Sequence, residues 1–400
     1  MKFAHFSDIH IGGWREEKLK NMSVQAFNTA ADICIQQAID FVLIAGDLFD
    51  SALPQIDLIR DTTAVLKKLH TANIPVYLIP GSHDFSPSGK TMIEVLEKAG
   101  LCINVFKHHQ GQLTFTHDKK TGVKLTGILG LACGLDKKLY EQLQKKPLED
   151  EEGFKIFLFH TIIDEVKPEH LKLVLGEPLN SLPKNFHYYA GGHPHYVYAK
   201  HMPDYGLVAY PGALFPNNFA ELEMFKGGGF YIVDEHLNYK HQFIQIKPVI
   251  SIHANVEEQT STQATSTIKQ LLNQQPLNEA IVTLRIEGTL STGTPTEIPI
   301  KELIEEHPEA YCILLNKTKL TNKTYDDIQV DLRNVEDIEK SIMTEAIQQA
   351  ALPAMQTETL AQQLLELLTL EKDEGEKTQD FELRLIKDLI KKTPLEEVWE

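Results

Sequence analysis

Ile79-Pro80-Gly81-Ser82-His83-Asp84 marks the place where an apolar run, Val76–Ile79, gives way to proline, glycine and then polar side chains. Four other places in the chain break in the same way. Asp8-Ile9-His10 follows Lys2–Ser7, and Gly46-Asp47 follows Phe41–Ala45. His160 ends Lys155–Phe159, and Gly191-Gly192-His193-Pro194-His195 comes just after Phe186–Ala190. Short apolar runs bounded by glycine or proline read as buried strands. Open α/β sheets bind ligands beyond the carboxyl ends of their strands, so five such ends can converge on one crevice. What would converge here is carboxylate and imidazole.

Aspartate and histidine without thiolate favour Mn²⁺, Zn²⁺ or Fe²⁺ over a structural zinc. Each fragment alone is weak, since Asp-x-His and Gly-Asp also occur as caps and plain strand-to-loop turns. Their joint occurrence, in order and at successive strand ends, is what points to a metal centre. Phosphate-ester hydrolysis commonly uses two ions roughly 3.5–4 Å apart, which require a shared carboxylate, and Asp47 is the natural bridge. His193 and His195 alternate along one extended segment, so they could serve different ions or share one face. Gly191-Gly192 would let backbone approach closely. His5, inside the first strand, reads as core packing before an orienting role.

Residues 1 to about 248 alternate strand and helix patterns. Helices are predicted over Leu19–Gln37, Ile56–His70 and Met92–Ala99. The strands thereafter shorten, with candidates at Val123–Leu131, Phe154–Phe159, Phe186–Ala190, Leu207–Tyr210, Gly229–Val233 and Phe243–Ile246. A βαβαβ opening followed by a strand-rich half predicts an α/β fold of two packed mixed sheets flanked by helices. Composition shifts near Lys247-Pro248. Residues 249–333 read as a small α+β domain, with a helical face around Ile268, Leu271 and Leu272, a strand over Ala280–Glu287, a helix over Pro299–Glu306 and a strand over Tyr311–Leu315. Residues 334–400 turn helical and charged: Val335–Ala351, Thr357–Leu370 and, after an acidic link, the amphipathic Phe381–Ile390.

The chain has 400 residues and a formal charge of -17, which counts against a surface that neutralises nucleic-acid phosphates unaided. Bound divalent ions or a basic partner can supply positive charge locally. Cys34, Cys102, Cys133 and Cys312 lack paired spacing and read as core thiols of a reducing compartment. No apolar run reaches the roughly 20 residues of a membrane span, and no signal peptide is expected. The expected location is the cytoplasm.

These residues resemble the calcineurin-like metallophosphoesterase superfamily, whose pattern runs D-x-H, G-D, G-N-H-[DE], H and G-H-x-H. Within it, Phe3–Gly12, Ala45–Asp50, Gly191–His195 and the later Tyr210–Leu214, Glu221 and Gly227–Phe230 are similar to the DNA double-strand-break repair nucleases of the SbcD and meiotic recombination eleven type. The resemblance implies that Asp8, His10, Asp47 and His195 hold one ion and Asp47, Ser82, His160 and His193 the other, with manganese as the metal. It implies that His83 contacts the scissile phosphate, oriented by Asp84. Residues 249–333 would be a capping domain that seats DNA ends, and residues 334–400 would bind an ABC-type coiled-coil ATPase. A homodimer is also implied. Three positions depart from the pattern: Ser82 replaces asparagine, Asp50 a histidine common in part of the family, and Ala213 a serine. A nucleotide phosphodiesterase or phosphatase, and a scaffold impaired at Ser82, are the competing readings.

Overall fold

Every residue of Phe41–Ala45 is buried, so this strand must be covered on both faces. The computed structural model describes residues 1–85, 91–109, 112–131, 137–168, 171, 174 and 176–323, and shows what covers it. The strands in chain order are β1 (Lys2–Phe6), β2 (Phe41–Ala45), β3 (Val76–Ile79), β4 (Ile103–Asn104), β5 (His108–His109), β6 (Gln112–Leu113), β7 (Thr116–His117), β8 (Lys124–Gly127), β9 (Lys155–His160), β10 (Tyr188–Gly192), β11 (Val197–Met202), β12 (Gly206–Pro211), β13 (Gly228–Asp234), β14 (Tyr239–Ile244), β15 (Val249–Asn255), β16 (Ile281–Leu290) and β17 (Cys312–Asn322). The helices are α1 (Met22–Gln36), α2 (Ile56–Thr71), α3 (Met92–Lys98), α4 (Lys137–Glu141), α5 (Lys146–Glu149), α6 (Phe219–Phe225), α7 (Ser261–Asn273) and α8 (Ile300–Glu305).

One six-stranded sheet has the order β14-β13-β1-β2-β3-β4 and a second the order β11-β12-β10-β9-β8-β7, while β5 and β6 pair as a small hairpin. In the first, β1 to β4 run parallel, β13 pairs antiparallel with β1, and β14 antiparallel with β13. In the second, β8, β9, β10 and β12 are parallel, with antiparallel β7 and β11 at the edges. Strand periodicity sends Phe3, Phe41, Leu43, Tyr77 and Ile79 to one face, where they meet Leu125, Ile156, Leu158, Tyr188 and Ala190 of the second sheet. The intervening Ala4, Phe6, Val42, Ile44 and Leu78 pack instead with Phe27, Ala30, Leu66, Leu69 and Ile93 from α1, α2 and α3. The mixed α/β architecture expected from the pattern is the one observed.

The carboxyl ends finish level. Phe6 pairs with Ile44, Ala45 with Ile79, and Gly192 with His160. The two sheets also close on each other there, since a Cβ on Gly192 would lie 2.0 Å from the Ala45 carbonyl oxygen. Only glycine fits such an approach.

A third sheet, β15-β16-β17, is wholly parallel and has its own core of Ile252, Ala254, Ile268, Leu272, Val282, Leu284 and Leu303. Its helix α7 starts with a capping box, in which Thr260 and Gln263 satisfy each other's backbone N–H. Tyr311 donates its hydroxyl to the Lys18 carbonyl at 2.7 Å, tying this sheet to the segment that precedes α1. Strands β4 to β7, β11 and β15 lie outside the predicted set, and β17 runs seven residues past the predicted Leu315. The helices expected at Val335–Ala351, Thr357–Leu370 and Phe381–Ile390 lie outside the described residues. Cys34, Cys102 and Cys312 are buried free thiols. Among the described residues, no helix is long and apolar enough to cross a membrane.

Candidate metal centre

Four of the polar residues at the strand ends hold left-handed backbone: Asp8 (φ 51°), His10 (φ 46°), Asp47 (φ 52°) and His193 (φ 95°). Non-glycine residues rarely adopt this conformation, and such strain persists only where surrounding structure imposes it. The loops after β1 and β2 impose it on each other. Asp8 N–H donates to Gly46 O at 3.2 Å, His10 N–H to Asp47 O at 3.0 Å and Ile11 N–H to Leu48 O at 3.1 Å.

The expected side chains are thereby brought together. Asp8, His10 and His195 form one cluster and Asp47, His160 and His193 another, each with potential ligand atoms within 4.8 Å of one another. Asp47 stands between them, its Oδ2 lying 3.1 Å from His160 Nε2 and 3.6 Å from His10 Nε2. A third cluster shares His10 with Asp50 and His83. His193 and His195 do serve different clusters, which the sequence had left open.

The imidazoles of His10, His160 and His195 are each held by one nitrogen with the other left facing the centre. His160 Nδ1 contacts the Ala45 carbonyl at 2.8 Å, which requires its proton there. Its Nε2 is buried and, despite the nearby Asp47 oxygen, lacks a hydrogen bond of proper geometry. His10 Nδ1 faces Asp50 Oδ1 at 3.1 Å, and His195 Nδ1 faces Glu221 Oε1 at 2.8 Å. The two Nε2 atoms then meet at 3.1 Å. Two lone pairs so close repel unless a proton or a cation lies between them. A buried nitrogen bare of hydrogen bonds, two facing nitrogens and two nearly dry aspartates together fit divalent cations.

The electrostatics agree. Burial opposes charge on His195, yet the Glu221 hydrogen bond and the charge of Asp8 outweigh it and raise the pKa to about 9. Burial likewise opposes charge on His160, and Asp47 overrides it, giving about 10. Burial also works against ionised Asp47, but the charge of and contact with His160 hold its carboxyl well below the usual range. His193 is lowered to about 4, by burial first and then by repulsion from His160. Without a cation, the carboxylates draw positive charge onto His160 and His195, while His193 stays neutral.

Asp84 departs from its expected role. Its buried carboxylate accepts from the N–H groups of Leu48 (3.1 Å), Phe49 (3.0 Å) and Gly81 (3.0 Å), so it pins the loop after β2 to the loop after β3. His83 is oriented by Asp50 instead, through a 2.9 Å contact of Nδ1 with the Asp50 carbonyl, and its backbone N–H donates to Asp47 Oδ1 at 2.8 Å. The reason is direction: an aspartate one residue on from His83 turns inward to three unpaired amides. Ser82, half-buried, sits between Gly81 and His83 in this same turn. Sequence reasoning gave no role to Glu221 or Asp50 in holding the histidines, although both had been noted. His5 is core, with Nδ1 2.8 Å from the Tyr188 hydroxyl.

Besides a recess of about 210 Å³ beside His195, two clefts reach the centre. One of about 420 Å³ arrives at Asp50 between Trp14, Arg15, Lys20 and Leu53. The other, about 320 Å³, arrives at His193 and His195 between Tyr196, Met224 and Phe225.

Residues 1–197 match the calcineurin-like phosphoesterase family. A protein of Methanococcus maripaludis named DNA double-strand break repair protein Mre11 is 32% identical over 58% of this chain and 63% of its own length. The protein of that name from Archaeoglobus fulgidus is 26% identical over 65% of this chain and 62% of its own. The one from Saccharolobus solfataricus is 25% identical over 100% of this chain and 96% of its own. Against the first two relatives the chain therefore spans less than two thirds of their length.

Proposed function

This chain belongs to the calcineurin-like phosphoesterases, and from that premise we propose that it is a metal-dependent DNA nuclease. It hydrolyses phosphodiester bonds at DNA ends during double-strand-break repair. The observation that carries this reading is the position of Asp47, with its carboxylate between His10 of one ligand cluster and His160 of the other. Asp8, His10, Asp47 and His195 would hold one ion, and Asp47, Ser82, His160 and His193 the second. Manganese suits these nitrogen and oxygen donors. A bound pair of ions supplies an activated water and neutralises phosphoryl charge.

The chain's own residues do the rest. His83, exposed to solvent and steered by the Asp50 carbonyl, approaches the scissile phosphate and carries a proton to the leaving oxygen. Asp84 and the left-handed turns keep that imidazole and Asp47 in register. Separate clefts at one centre support a polymeric substrate over a small phosphate monoester, and one of them sets Arg15 and Lys20 beside Glu17 and Asp50.

Residues 1–248 constitute the nuclease domain in this proposal, and residues 249–333 a cap that seats DNA ends. Residues 334–400 bind an ABC-type coiled-coil ATPase, and the active form is a cytoplasmic homodimer. The separate core of the third sheet supports the first boundary. The test is an assay of linear duplex DNA with Mn²⁺ beside aryl phosphate and cyclic nucleotide substrates, repeated with His83→Ala. Cleavage confined to DNA, lost in the variant by about 10²–10⁴-fold with metal content unchanged, is the expected result. Turnover of the small substrates alone would reject it.

A further inference from the structure

We propose that Arg285, on the third sheet, is a positioning residue for the ion site formed by His10 and His195. The inference rests on reading the centre as a divalent-metal site. It starts from the bonds on the far side of each imidazole. Glu221 takes His195 Nδ1 on Oε1 at 2.8 Å, and the same oxygen accepts from Asn218 Nδ2 at 2.6 Å. Its other oxygen accepts from the Asn217 backbone N–H at 2.8 Å. Asn217 in turn donates Nδ2 to Asp50 Oδ1 at 3.4 Å, the oxygen that faces His10 Nδ1. Both histidines are thus steadied by one turn, residues 217–221, at the start of α6.

That turn has a cap in Asn218 and a buried anchor in Leu222. Helix α6 has seven residues, too few to be stable unaided. Arg285 on β16 supplies a further fixing contact from the third sheet. Its Nε lies 3.1 Å from each oxygen of Glu223 and its Nη2 2.5 Å from Oε2, while its guanidinium sits 5.2 Å from the centre of the Phe219 ring. A planar fork that pairs with a carboxylate and covers an aromatic face fixes position and rotation together, which a lysine cannot reproduce. Lys226, just past α6, adds a bond to Ser251 on β15. The third sheet thereby clamps α6, α6 presents Glu221, and Glu221 keeps His195 Nε2 aimed at the ion. Partners that orient metal-bound histidines are worth about 10–100-fold in metal affinity, and Arg285 acts one step further out.

The experiment is calorimetric titration of the full chain with Mn²⁺, fitted to two sites. His195→Ala identifies the transition that belongs to the His10/His195 site. In Arg285→Ala and Glu223→Gln, that site weakens about 3–10-fold while the other keeps its affinity. Arg285→Lys falls between, and the exchanged pair Arg285→Glu with Glu223→Arg recovers part of the loss. Unchanged affinities in Arg285→Ala overturn the inference. So does equal weakening of both sites with a lowered melting temperature, because that signals general loosening. A wild-type chain that takes up no metal overturns the underlying metal reading instead, a result plainly different from either.

Discussion

Asp47 Oδ2 lies 3.1 Å from His160 Nε2, yet the two atoms do not form a hydrogen bond of proper geometry. Two donor atoms this close without such a bond are disposed as ligands of one ion are. Loss of a mere orienting partner costs about 10–100-fold in metal affinity, so loss of a bridging carboxylate costs at least about 100-fold. Asp47→Asn is therefore expected to hold one ion or none where the wild type holds two. Metal content after saturation with Mn²⁺ and desalting measures this directly. Two ions retained by the variant would rule out the bridging position.

Asp84 tests whether bracing or proton transfer explains its burial. Asp84→Ala leaves the N–H groups of Leu48, Phe49 and Gly81 without their acceptor, at about 1–3 kcal/mol each. Burial, aided by repulsion from Asp47, raises the Asp84 pKa to about 6, so removing that carboxylate returns roughly 3 kcal/mol. The net expectation is destabilisation of about 3 kcal/mol, read as a lower urea midpoint, together with weaker DNA cleavage. Full stability with cleavage abolished would assign Asp84 a chemical role instead.

Much of this centre was legible because strand ends leave a local mark. Apolar runs stop abruptly at Asp8, Asp47, Gly81, His160 and Gly191, and the parallel order of the strands brings those stops to one edge. What escaped depended on distant partners. Val249–Asn255 has the period of a strand, yet it sits beside a proline and a shift in composition, and its identity comes from pairing with β16 some thirty residues on. Val197–Met202 is a largely exposed edge strand without an apolar face of its own. Helix α6 is too short to show a helical period, so nothing local announced that Glu221 would reach His195. The inward turn of Asp84 was hidden for the same reason, because its three amides belong to two different loops.

His5 is fully buried, and that burial drives its pKa from the ordinary 6.5 to about 3, an effect only partly offset by the Gly191 backbone. A histidine depressed in the folded state takes up protons first in the unfolded chain. Stability is therefore intact above pH 6.5 and falls as the pH drops from there toward 3. At pH 5 the penalty is about 2 kcal/mol, from 1.36 kcal/mol per unit. His5→Gln cannot titrate and should flatten this part of the acid limb. Urea unfolding of both proteins at pH 7 and pH 5 checks it: an equal loss in the two would remove His5 as the cause.

Ser82 offers a neutral oxygen, as an asparagine would, but on a shorter arm. The turn that carries it has little freedom to compensate. Gly81 N–H is bonded to Asp84 on one side and His83 N–H to Asp47 on the other, so the backbone at Ser82 is fixed relative to the ligands. A short arm on a fixed base binds its ion weakly or leaves the gap to water. Ser82→Asn should therefore tighten the His160/His193 site by about 10-fold and leave the His10/His195 site as it was. Two-site Mn²⁺ calorimetry on both proteins separates the outcomes. Identical affinity at the His160/His193 site would mean that residue 82 contributes no ligand, and that Asp47, His160 and His193 hold that ion without it.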